Sequence, residues 1–174
     1  RITDLSTKVL TKADSLNLLL KNATHDTVKI RLRYEIGDEG MIFRIGYWDS
    51  LRTDALKHNL KNIEADALNN IGAIYDNHGQ IKEALDYFHK SLKLQKEIGN
   101  KKDIATSLNN IGYIYKEQGQ IKEALEYYHK SLKLREEIGD KQGIALSLNN
   151  IGSIYKEQWQ IKKALEYFHK SLNL

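Results

Sequence analysis

The sequence contains no cysteine, no proline, a single methionine and no long apolar run. Without cysteine there are no disulfides and no thiolate metal sites, although the redox compartment stays undecided. Without proline, nothing in the chain forces a helix to break. No stretch approaches the roughly 18 apolar residues of a membrane span, and no signal-peptide pattern opens the chain. The compartment is left unknown, with the cytoplasm favoured and the periplasm open. The first residue is Arg1 rather than methionine, which predicts a trimmed or processed piece of something longer. Charge of one sign is not concentrated either. Residues 1–62 carry 11 Lys+Arg against 8 Asp+Glu, and residues 63–174 carry 16 against 15. With no block of like charge, the pI near 9.0 does not mark a nucleic-acid binder.

What the chain does have is a repeat forty positions long. Leu68-Asn69-Asn70-Ile71-Gly72 returns as Leu108-Asn109-Asn110-Ile111-Gly112 and as Leu148-Asn149-Asn150-Ile151-Gly152. Between residues 107–134 and 147–174, 23 of 28 positions are identical. A fixed period of this size is the signature of a stacked array, because one repeat cannot bury its apolar face alone.

Each repeat reads as two antiparallel helices. Leu108, Ile111, Gly112 and Tyr115 share one helical face, and Gly119 punctuates the pattern. A second run follows through Ile121, Ala124, Leu125, Tyr128, Leu132 and Leu134. Gly139 is a natural left-handed cap and Asp140 an N-cap for the next helix. Gly72, Gly112 and Gly152 sit in mid-helix, where glycine costs about 1 kcal/mol relative to alanine. Their use predicts close helix approach, with Ala84, Ala124 and Ala164 at the matching place on the second helix. Lys122, Glu126 and Lys130, like their counterparts in the other repeats, form an i, i+4 charge ladder that reads as a solvated face.

The pattern Leu68-x-x-Ile71-Gly72-x-x-Tyr75 followed by Ala84-x-x-x-Phe88 resembles the tetratricopeptide repeat. So do its two successors, through Tyr115, Ala124 and Tyr128 and through Tyr155, Ala164 and Phe168. The period is 40 rather than the usual 34, and the closing proline is absent. That is similar to the long-repeat branch of kinesin light chains, Pins-type adaptors and bacterial signalling arrays. The resemblance implies an all-α fold, a right-handed superhelical solenoid of stacked helix pairs. Three repeats are expected at about 64–99, 103–139 and 143–174, within a region from 63 to 174. Residues 1–62 are expected to hold a capping helix, through Leu5, Val9, Leu16, Leu19 and Leu20, and a degenerate helix pair. That pair would run from Asp26 to Phe43 and from Tyr47 to Asn62, all in one continuous array.

The resemblance also implies a concave groove lined by the first helices. Opposite the core face of one such helix lie Thr106, Asn110, Tyr113 and Glu117, with Asn109 and Lys116 at the border. The equivalent residues are Asp66, Asn70, Ala73 and Asn77, and then Leu146, Asn150, Ser153 and Glu157. Asn70, Asn110 and Asn150 would form a ladder able to pair with the backbone of an extended peptide. Tyr113 would add an aromatic contact, and Lys116 and Lys156 a preference for acidic side chains. The plainer reading of an interior asparagine is a bond to the neighbouring repeat, and it is favoured for Asn69, Asn109 and Asn149. The family's lysine clamp for chaperone tails has no counterpart, since Asn69 and Asn109 stand where its lysine would be.

No phosphate-binding loop, metal-ligand motif or nucleophile elbow appears. His89, His129 and His169 recur too far apart for a shared ion. The expectation is a non-enzymatic module without cofactor or metal, binding a protein or an extended peptide. Its alternatives are the input region of a bacterial signalling enzyme, or an array that self-assembles through its uncapped C-terminal end. Trp159 stands where Gly79 and Gly119 make the turn between helices. Either it folds back over Ile161 or it marks an interface.

Overall fold

The computed structural model describes residues 12–39 and 44–174, and every regular element among them is an α-helix. Two compact units are present, one ending at Ala67 and the other running from Leu68 to Leu174. Among the described residues the expectation of an all-α chain holds.

The first unit contains α1 (Lys12–Asn22), α2 (Asp26–Glu39), α3 (Ile45–Lys57) and the start of α4 (Lys61–Asn77). Its core takes in Leu16, Ile30, Trp48, Leu51 and Ala55. Leu16 is buried and Leu20 half-buried, whereas Leu19 faces solvent. Leu5, Val9 and Phe43 lie outside the described residues. The Arg33 guanidinium holds Asp54 at 2.7 Å and Ser50 at 3.1 Å, and Tyr34 donates to Asp66 at 3.0 Å. The helix expected to reach Asn62 stops at Lys57. The reason is local: Asn59 takes a left-handed φ of 54°, and Leu60 N–H returns to the Ala55 carbonyl at 2.9 Å. Asparagine is one of the few residues that accepts this cap, so the chain turns and α4 starts early.

The second unit continues α4 and adds α5 (Ile81–Ile98), α6 (Lys101–Glu117), α7 (Ile121–Glu137), α8 (Lys141–Glu157) and α9 (Ile161–Leu172). Helices pair across three-residue turns in which Gly79 and Gly119 have φ of 70° and 72°. Successive pairs meet at Gly99 and Gly139, both left-handed. Asn100 then caps α6 by accepting from Lys102 and Asp103 N–H, and Asp140 caps α8 by accepting from Gly143 N–H.

The core repeats with the sequence. Ala84, Phe88 and Leu92 pack on Leu108, Ile111 and Ile114, and Ala124, Tyr128 and Leu132 pack on Leu148, Ile151 and Ile154. Burying a ring such as Phe88 contributes about 2–3 kcal/mol. The mid-helix glycines make room for these rings. A Cβ on Gly72 would stand 2.9 Å from the Phe88 ring, and one on Gly112 3.0 Å from Tyr128.

Candidate functional site

Within the second unit, α6 and α8 put their core residues on one side, so Asn110, Tyr113 and Asn150 emerge together on the other. Tyr113 is 43% exposed and Leu146 46% exposed, which leaves two large apolar side chains open on this face. Asn110 and Asn150 are half-buried.

The asparagines are bonded from repeat to repeat. Asn110 Nδ2 donates to Asn69 Oδ1 at 3.1 Å, and Asn150 Nδ2 donates to Asn109 Oδ1 at 2.9 Å. Asn110 and Asn150 are thus each bonded to an asparagine of the preceding repeat, and one of the two amide hydrogens of each is committed. Asn109 is buried beneath α8, whereas Asn149 is exposed. Asn70 is half-buried.

Charge at the far end of this face is organised around Lys116. Its Nζ lies 2.9 Å from Glu157 and 3.5 Å from Glu117. The bond to Glu157 holds the ammonium pKa above its ordinary value. Lys116 is therefore neutralised across the repeat boundary, while Lys156 is exposed and has no ion pair among the described residues. Asp76 is pushed above the usual carboxylate range, first by burial and then by Glu117. Burial and the same two carboxylates raise the Tyr113 phenol.

The remaining residues of the expected site are placed less centrally. Thr106 Oγ1 donates to its own helix, to the Lys102 carbonyl at 3.2 Å. Asn77 is exposed and Ser153 half-buried. Asp66 belongs to the first unit, where it accepts from Tyr34.

One ordered feature was not anticipated from the residue pattern. Tyr75 stacks on Tyr87, Tyr115 on Tyr127 and Tyr155 on Tyr167, with centroids 5.3–5.5 Å apart. His89 meets Tyr127 edge-on, and His129 meets Tyr167 likewise. The signal was present, since each pair of tyrosines is twelve residues apart and recurs with the period. Among the described residues no group of three or more His, Cys, Asp or Glu is placed to hold a metal ion. No helix among them is long and apolar enough to cross a membrane.

Two family profiles, both for the tetratricopeptide repeat, match residues 103–174 and 65–97, together more than half of the chain. No curated protein sequence matches. Among solved structures, the chain is similar to BtubC from P. vanneervenii at a TM-score of 0.68 and 21% identity, over 91% of this chain and 63% of that one. A Rap protein complexed with competence and sporulation factor gives 0.82 and 16%, over 92% and 47%. A putative kinesin light chain from Podosopora anserina with nearly identical repeats gives 0.62 and 12%, over 92% and 84%. At these identities the likeness concerns the fold. The chain spans less than two thirds of the length of the first two.

Proposed function

The chain belongs to the tetratricopeptide repeat family, and from that premise we propose that its second unit binds an extended segment of another polypeptide along the face carrying Asn110, Tyr113, Leu146 and Asn150. The observation that carries this reading is the pair of large apolar side chains left open beside oriented amides. Tyr113 and Leu146 supply contact area, and aromatic anchors of this kind carry much of the energy in protein interfaces. The asparagines, held by their neighbours, present their remaining amide hydrogens in a fixed direction. That preorganisation lowers the entropy lost when a peptide backbone pairs with them.

The charge preference differs from the one expected from the lysines. Lys116 is already matched by Glu157, and Asp76, Glu117 and Glu157 outnumber Lys116 and Lys156 at this end. The groove therefore has no surplus of positive charge with which to select acidic peptides. No catalytic role is assigned to it.

Selection of a displayed peptide library on the protein tests the proposal. Recovered peptides should lose affinity about tenfold or more for Tyr113→Ala, since a buried aromatic anchor carries about 1.4 kcal/mol or more. Peptides that bind Tyr113→Ala and Leu146→Ser as well as they bind the wild type would place recognition elsewhere.

A further inference from the structure

We propose that the turn between α8 and α9 is a contact point for an anionic lipid surface, anchored by the Trp159 indole and charged by Lys156, Lys162 and Lys163. Trp159 is 87% exposed and sits at a φ of 59°, a left-handed conformation that its sister residues Gly79 and Gly119 adopt freely. An exposed indole in such a backbone has no support from the core. It does not fold over Ile161, which is itself half exposed at 49%.

The position also points away from the stack. At Gly79 and Gly119, each followed by a further helix pair, a Cβ would meet nothing within 4 Å. A Cβ at this place therefore stands clear of its surroundings even where another repeat is stacked alongside.

A second departure from the repeat occurs four residues on. Glu83 and Glu123 become Lys163. Residues 156–163 carry three lysines against one glutamate, whereas residues 116–123 carry two against two. The single glutamate, Glu157, is matched by Lys116 at 2.9 Å. Lys156, Lys162 and Lys163 have no carboxylate partner among the described residues, and Lys163 lies over the Tyr155 ring at 5.1 Å. The turn thus combines one projecting indole with three unmatched cations on long stems.

The shape chooses between occupants. A stable protein interface needs about 800 Å² on each side, and the tip of a turn offers little area. A second copy would bring three more lysines against these three. A lipid headgroup layer receives a projecting indole without a matching recess, and anionic lipid attracts lysines beside it.

The chain has two tryptophans, and Trp48 is only 2% exposed, so solvent-exposed emission reports Trp159. Vesicles of phosphatidylserine and phosphatidylcholine in equal parts should shift that emission to the blue at low salt and carry the protein down on sedimentation. Phosphatidylcholine vesicles should do neither. Trp159→Gly and Lys163→Glu restore residues that the sister repeats already carry, so both keep the fold. Trp159→Gly should lose vesicle binding, and Lys163→Glu, a change of two charges, should weaken it roughly thirtyfold. Absence of a blue shift with the anionic vesicles overturns the proposal, as does equal binding to neutral vesicles or retained binding in both variants. A shift that grows with protein concentration without lipid would assign the turn to a second copy. A shift produced by polyglutamate and not by vesicles would assign it to an acidic polypeptide.

Discussion

Asn150 donates its side-chain amide to Asn109 across the boundary between consecutive repeats, at 2.9 Å. The acceptor is 8% exposed, so its oxygen has little access to water when the bond is broken. Asn110 and Asn69 repeat the arrangement at 3.1 Å. Such a bond ties consecutive repeats together and orients the Asn110 and Asn150 amides.

Asn109→Ala should therefore destabilise the protein by about 1 kcal/mol in urea unfolding, the net value of such a bond. A double-mutant cycle with Asn150→Ala should recover a coupling of similar size. Asn149→Ala, at the exposed counterpart, should stay within about 0.5 kcal/mol of wild type. Additive effects of Asn109→Ala and Asn150→Ala would remove this tie.

The helix pairs of the second unit were legible because core positions recur at helical spacing and the turns between its helices carry a left-handed residue. The α3 terminus was missed because Asn59, not glycine, makes the cap there. The face carrying Asn110, Tyr113 and Asn150 follows from helical angle, and the bond to a neighbouring repeat expected of Asn69 and Asn109 is present, but its partners Asn110 and Asn150 were expected to be free. Angle places Asn109 and Asn110 side by side on one helix, and only the stacking of α8 shows that Asn109 is spoken for by Asn150. Lys116 illustrates the same limit, since its partner Glu157 is 41 residues away.

Gly112→Ala should lower stability by about 1–2 kcal/mol, although alanine favours a helix by about 1 kcal/mol. The added Cβ would meet the Tyr128 ring at 3.0 Å and the Ala124 carbonyl at 3.3 Å, and Tyr128 is fully buried. Gly152→Ala should be milder because Phe168, its opposing ring, is only half-buried and can move. Thermal unfolding of the two variants side by side checks the order. A stabilised Gly112→Ala would refute the close-approach account.

Arg135 replaces Gln95 of the preceding repeat, and with it Asn100 and Asp103 become Asp140 and Gly143. The buried Arg135 guanidinium donates to the Gly143 carbonyl at 2.6 Å. A Cβ on Gly143 would lie 2.7 Å from Arg135 Cδ and 2.1 Å from Asp140 Oδ2. Gly143→Asp alone should thus destabilise by about 2–3 kcal/mol. The triple variant R135Q/D140N/G143D, which transplants the sister set, should recover most of that in chemical denaturation. If the triple variant is no better than the single, the three positions are not a coupled set.

Asp76 gives a pH dependence with a definite sign. Its carboxyl is raised above the ordinary value of 3.8 by burial and by Glu117, so the ionised form is the less favoured one in the folded state. Its contribution to stability is present below the unfolded value and is lost as pH rises through the folded value. Asp76→Asn should therefore melt higher than wild type at pH 7, and the gap should close by about pH 3. The side chain is only partly buried, so the gain stays below about 1 kcal/mol. A variant that melts lower at neutral pH would show that the carboxylate is instead a favourable partner.

Trp159 separates backbone strain from side-chain packing. Its φ of 59° costs an L residue about 1–2 kcal/mol relative to glycine, and an 87% exposed indole offers little packing in return. Trp159→Gly should accordingly raise stability by about 1 kcal/mol. Trp159→Ala removes the indole but keeps the strained backbone, so it should unfold close to wild type. The ordering Gly above Ala, with Ala near Trp, in urea titrations identifies backbone strain as the larger effect. Equal gains for Gly and Ala would mean that the indole itself is unfavourable in water. A loss of stability in both would mean that the indole is held by contacts in solution.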